Sequence, residues 1–98
     1  MRVVFHPEAE AEMIEAARFY NRKVRGLGAE FLDAIDTAKL ELTNDPLRSR
    51  IIEEDIRRFL MPRFPYAILY RVMPDRLRIL AVKHHSRHPD YWRHRLES

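Results

Sequence analysis

Four consecutive apolar residues, Ile79-Leu80-Ala81-Val82, sit in the middle of the run Leu77 to Lys83. Successive side chains of an extended strand point to opposite faces, so an unbroken apolar run needs cover on both sides. That strand must be interior, and everything else in a 98-residue chain has to be arranged around it. A chain of this length is expected to form one domain over residues 1–98 and to bury about 60 to 65% of its unfolded surface. A deep cleft between lobes is therefore not expected, and any chemistry should lie on an open face.

The neighbours of the run supply its partners. Tyr66 to Val72 (YAILYRV) is rich in aromatic and β-branched residues and reads as a strand, joined to Leu77–Lys83 by the turn Met73-Pro74-Asp75-Arg76. Ile56 to Met61 and Arg50 to Ile52 are weaker strands separated by the acidic turn Glu53-Glu54-Asp55. Before them the period changes. Arg2 to Phe5 is a short strand stopped by His6-Pro7, and Pro7 suits the first helical position, with Glu8, Glu10 and Glu12 bringing negative charge to the positive end of a helix. Met13, Ala16, Ala17, Tyr20 and Val24 form its apolar stripe, and Gly26-Leu27-Gly28 ends it. A second helix is predicted from about Ala29, carrying Phe31, Ile35, Ala38 and Leu42 on one face and closed by Asn44-Asp45-Pro46. The expectation is an α+β fold: an N-terminal strand, an αα-hairpin, then an antiparallel β-meander of three to four strands and a short C-terminal tail or helix. The hairpin should cover one sheet face, and the first strand should complete the sheet.

The +3 net charge conceals a split. Met1 to Asp45 carries six basic residues against nine acids, and Pro46 to Ser98 carries twelve against six. Only three of the 18 basic residues are lysine, and arginine is the better fork for phosphate or carboxylate. A polyanion or an acidic partner is the class this implies. With no cysteine there is no disulfide framework and no thiolate metal site. No stretch approaches the ~20 apolar residues of a membrane span, and no secretory leader is visible, so a cytoplasmic protein with no membrane partner is expected.

The densest polar segment is KHHSRHPDYWRHR, Lys83 to Arg95, directly after the interior strand. Histidine titrates near neutral pH, arginine stabilises developing phosphate charge and tyrosine can hold a proton, so His85, Arg87, His88 and Tyr91 are candidates for metal-free RNA cleavage. Arg57, Arg58, Arg63, Arg71, Lys83 and Trp92 are candidates for binding a target, as a basic sheet face with an aromatic rim. For Tyr91 and Trp92 the simpler alternative is that they anchor the tail on the core. Tyr66 and Tyr70 are expected in the core. His84 and His88 have an i, i+4 spacing, but Pro89 disfavours helix there and no further ligand supports a site, so no metal or other cofactor is expected. Neither a serine elbow nor a phosphate-cradling glycine loop is present.

The blocks FPYAILYRV (Phe64 to Val72), PDR (Pro74 to Arg76) and LRILAVKHHSRHPDYW (Leu77 to Trp92), with HPEAEAEM (His6 to Met13) before the hairpin, resemble the RelE/ParE superfamily of bacterial type II toxins. The resemblance implies a small basic toxin of plasmid-stabilisation type, neutralised by a cognate antitoxin. Superfamily targets differ. RelE-like members cleave messenger RNA in the ribosome, whereas ParE-like members inhibit DNA gyrase without nuclease residues. RNA-cleaving members carry an arginine directly after the aromatic residue that is Tyr66 here, and this chain has Ala67. Ribosome with mRNA and DNA gyrase both stand as targets at this level. A non-toxic small RNA-binding or interaction domain of the same fold is the alternative.

Overall fold

The computed structural model describes residues 1–97. Its first strand, β1 (Arg2–Phe5), gives way at His6-Pro7 to α1 (Pro7–Lys23). Pro7 has no N–H to leave unsatisfied in the first turn, and the His6 ring caps the helix by accepting the Glu8 N–H on Nδ1 at 3.1 Å. The apolar stripe holds for Ala16 and Ala17, which are buried. Val24 departs from it: the backbone turns extended at this residue and leaves the side chain 58% exposed.

The second helix, α2 (Leu27–Asn44), begins two residues before the predicted Ala29 because the two glycines do different work. Gly26 alone adopts the left-handed conformation, with φ of 88°, that turns the chain. Gly28 is already helical and lies where the helices cross: a Cβ there would sit 2.4 Å from the Ala17 carbonyl oxygen. It is the absence of a side chain, not a special φ, that this position needs. Phe31, Ile35, Ala38 and Leu42 all face inward as their spacing predicts.

Four strands follow: β2 (Arg50–Glu53), β3 (Ile56–Leu60), β4 (Tyr66–Val72) and β5 (Arg76–His84). They join β1 in one five-stranded sheet of order β1-β5-β4-β3-β2, with β1 parallel to β5 and the remaining pairs antiparallel. The apolar run is therefore interior, between β1 and β4. The loop before β2 is pinned by the Tyr70 hydroxyl, which donates to the Pro46 carbonyl at 2.8 Å.

The hairpin packs on one face of the sheet, over Ile68, Tyr70, Leu77, Ile79 and Val82. Ile56, Ala67, Leu69, Leu80 and Ala81 form a second apolar cluster with Trp92. A register shift opposite Leu69 and Tyr70 places Leu80 and Ala81 together in that cluster, so the four-residue run is split one-two-one between the faces. The apolar part of this reverse face is covered by the C-terminal segment, through Tyr91 and Trp92 before a short 3₁₀ turn (Arg93–Glu97) and Leu96 within it. Trp92 is 2% exposed, so the tail is anchored by its aromatic residue and Trp92 presents no surface to a partner.

Replacing Gly28 with alanine tests the helix crossing. Alanine would improve helix propensity by roughly 1 kcal/mol, but a clash with backbone cannot be relieved by a rotamer change. The expected outcome is a net loss of about 1–3 kcal/mol in urea unfolding, and a gain would show that the helices separate freely at this point.

Candidate functional site

Glu12 lies one turn beyond the acidic first turn of α1, and its carboxylate reaches across the sheet end to the C-terminal segment. Oε1 accepts the Val82 N–H at 3.0 Å and an Arg95 N–H at 2.9 Å. Oε2 accepts the Tyr91 hydroxyl at 2.6 Å and the second Arg95 nitrogen at 2.9 Å. The pair with Arg95 is thus bidentate, and Arg95 also donates to the Leu80 carbonyl at 2.9 Å. Its side chain is 4% exposed and that of Glu12 15%. Burial alone would lower the Arg95 pKa, but the Glu12 hydrogen bonds and charge reverse the sign and raise it. The expectation that Glu12 serves the helix dipole is corrected: it is the polar hub of the molecule. Its acceptor capacity is spent on groups far away in sequence, a contact that helix periodicity does not reveal.

Further contacts tie the same segment down. Glu8 Oε2 lies 2.8 Å from His94 Nε2 and 3.5 Å from Arg95 Nε, and Arg93 pairs with Glu53 at the end of β2. The buried His6 ring is held below the ordinary histidine range by burial first, and next by the Arg78 charge.

Of the four residues proposed for catalysis, the structure brings Arg87 and Tyr91 into contact and leaves His85 and His88 exposed. Tyr91 turns inward to Glu12, and burial, followed by that hydrogen bond, pushes its phenol well above the ordinary tyrosine range. A proton held in this way is not available for acid–base work near neutrality. His85, Arg87 and His88 lie in the exposed loop after β5. His88 Nδ1 accepts the Asp90 N–H at 3.1 Å, while the His85 ring makes no hydrogen bond among the described residues. The Arg87 guanidinium lies 3.9 Å from the Tyr91 ring centroid and 3.9 Å from Glu12 Oε2.

The six candidates for target binding are likewise divided. Arg58, Arg71 and Lys83 share the reverse face of the sheet, as their cross-strand register shows. Arg57 alternates to the hairpin side and donates to the Leu47 and Ser49 carbonyls at 2.9 and 2.8 Å. Arg63 leaves the sheet altogether, pairing with Glu30 at 2.7 Å over the Phe64 ring. Period-two alternation alone would have separated Arg57 from Arg58.

An open cleft of about 270 Å³ runs between α1 and the ends of β4 and β5, with Phe19, Tyr66, His84, Arg22 and Arg87 in its walls. Its arginines are matched by its own carboxylates, Arg22 by Glu15 at 3.8 Å and Arg87 by Glu12. Burial raises the Tyr66 pKa. Among the described residues no group of three or more His, Asp or Glu side chains is placed to share a metal ion, and no helix is long and apolar enough to cross a membrane.

Residues 3–89 match the family model described as ParE toxin of type II toxin-antitoxin system, parDE. No curated protein matches the chain in sequence. Among solved structures the fold is similar to a chain of the chromosomal ParDE toxin-antitoxin system from P. aeruginosa, with a TM-score of 0.66 at 17% identity, over 86% of this chain and 95% of that one.

Two outcomes test the hub. Glu12→Ala leaves the buried Arg95 charge and the Tyr91 hydroxyl without their acceptor and should cost roughly 3–5 kcal/mol. Trp92 is the sole tryptophan, so its fluorescence during urea unfolding reads the docking of the segment directly. The second concerns pH. His6 stays neutral in the folded protein while the unfolded chain takes up a proton near pH 6.5. Its contribution is complete above that pH and is lost as the pH falls through the lowered folded value. Unfolding midpoints from pH 8 to 5 should fall more steeply for the native chain than for His6→Asn, which keeps a capping oxygen, and parallel curves would remove His6 as the cause.

Proposed function

The chain belongs to the ParE toxin family of type II toxin-antitoxin systems, and from that premise we infer that it arrests growth by binding DNA gyrase, not by cutting RNA, and that a cognate antitoxin neutralises it. The observation carrying this reading is Ala67. RNA-cleaving members of the wider superfamily place an arginine directly after the aromatic residue of this strand. Here that position is 3% exposed in the cluster with Leu80, Ala81 and Trp92, where its small side chain is a packing element. An arginine at this point would have to displace the C-terminal segment. Tyr91, spent on Glu12, supports the same conclusion.

Inhibition by binding needs an exposed, rigidly presented surface. The loop carrying His85, Arg87 and His88 meets that need. It follows directly on β5, and its far end is fastened by Trp92, whose Nε1–H donates to the Pro89 carbonyl at 2.6 Å, and by Arg95.

Inducible expression in bacteria with labelled precursors tests the reading. Early arrest of DNA synthesis with a DNA-damage response is expected, relieved by co-expression of the protein encoded in the neighbouring reading frame. Early arrest of protein synthesis would overturn gyrase in favour of ribosome-dependent mRNA cleavage, and unaffected growth would overturn toxicity itself. The double variant Arg87→Ala with His88→Ala should abolish the arrest while shifting stability by no more than about 0.5–1 kcal/mol, since both side chains are exposed. Undiminished arrest at confirmed expression would assign the contact to another surface.

A further inference from the structure

The reverse face of the sheet contains three pairs of arginines set directly opposite one another: Arg2 with Arg76, Arg71 with Arg78, and Arg50 with Arg58. Like charges in this position destabilise a sheet, and one pair would need a reason. Here three share a face. Strand by strand, in the spatial order β1-β5-β4-β3-β2, each strand contributes at least one of these side chains, and the arginines cross the sheet on a diagonal, stepping two residues along β5 from Arg76 to Arg78 and two more between Arg71, which faces Ile56, and Arg58, which faces Leu69. Four strand spacings of about 4.8 Å, with about 13 Å of travel along the strands, make that diagonal about 23 Å.

Local acids compensate only part of this charge. Arg71 pairs with Asp55 and Glu54 at 3.0 and 3.9 Å, and Arg76 with Asp75 at 3.2 Å. Arg2, Arg50, Arg58 and Arg78 have no carboxylate partner among the described residues. The C-terminal segment, docked on Ala67, Leu69, Leu80 and Ala81, adds Arg93 beside the row, already matched by Glu53.

We propose that this row of arginines is a binding site for the phosphodiester backbone of a duplex nucleic acid. The direction of the row selects the occupant. A peptide added to a sheet runs along the strands and takes up their edge hydrogen bonds, whereas this row runs diagonally across the sheet face and offers only guanidinium heads. Guanidinium forks match phosphate oxygens, and about 23 Å of duplex axis carries about seven phosphates on each strand. None of the exposed residues of the row is aromatic, so a stacking platform for single-stranded bases is missing, which favours a duplex held by its backbone and read without sequence preference. The site lies on the sheet, away from the loop assigned to the toxin's target, and it stands whichever macromolecule the toxin arrests.

Fluorescence anisotropy of the purified full chain with labelled 20-bp duplexes, one of DNA and one of RNA, tests the site. Four uncompensated arginines predict a slope of log affinity against log salt of about −3.6, a loss of about 10²-fold between 50 and 200 mM. Arg58→Gln and Arg2→Gln should each reduce the slope by about one while leaving the urea midpoint unchanged or raised, because each relieves a like-charge pair. Arg25→Gln, in the turn of the helical hairpin, should bind as the native chain does. The tighter duplex identifies the source of the backbone, and either one satisfies the proposal. Absence of binding to both at 50 mM salt, a slope near zero, equal weakening by Arg25→Gln, or competition by poly-glutamate at equal charge concentration would overturn it.

Discussion

The docking of the C-terminal segment depends on one largely buried carboxylate. Glu12 takes four hydrogen bonds, from a strand amide, a phenol and both terminal nitrogens of Arg95, and by doing so it fastens α1, β5 and the last turn of the chain at one point. Two buried charges are costly to desolvate, and such a pair is sustained only when its remaining donors and acceptors are satisfied. The Leu80 carbonyl takes a further Arg95 hydrogen bond, Glu8 Oε2 lies 3.5 Å from Arg95 Nε, and the Val82 amide serves the acid side. Because both backbone groups belong to the interior strand, the ion pair fixes where the segment lies as well as that it lies there. Trp92 then supplies the apolar cover that Leu80 and Ala81 require.

How far this was visible in the sequence depended on the range of the interaction. The β4–turn–β5 hairpin, both helices and the interior position of β5 follow from periodicity and punctuation within a dozen residues, and all are present. Boundaries failed where one residue could serve two purposes. Gly28 looked like part of a turn because glycine usually is, whereas its role is set by Ala17 on the other helix. Glu12 looked like a dipole-compensating residue because two acids precede it at alternate positions. Its true partners lie 70 to 83 positions away, beyond the reach of any local pattern. For the site, the loop after β5 was legible as a dense polar segment. The inward turn of Tyr91 was not, since the same residue types suit a reaction centre and an anchor equally well.

The charge asymmetry takes on a different meaning once alternation along the strands is applied. A count of basic residues treats Arg57, Arg58 and Arg63 as one cluster, but they occupy the hairpin side, the reverse face and a loop ion pair respectively. What remains on the reverse face is smaller in number and better ordered, because register forces arginines on neighbouring strands into opposed pairs. A sheet can carry such repulsion only if its stability comes from elsewhere. Here the helical hairpin buries one face, and Trp92 with the Glu12–Arg95 pair secures the other, so the fold does not rest on the arginine heads, of which Arg71 and Arg76 have local acid partners. The division of labour explains why so short a chain has charge to spare: the acidic helices and the largely buried hub hold the fold, and the exposed loop and the arginine row are the surfaces proposed for partners much larger than the domain itself.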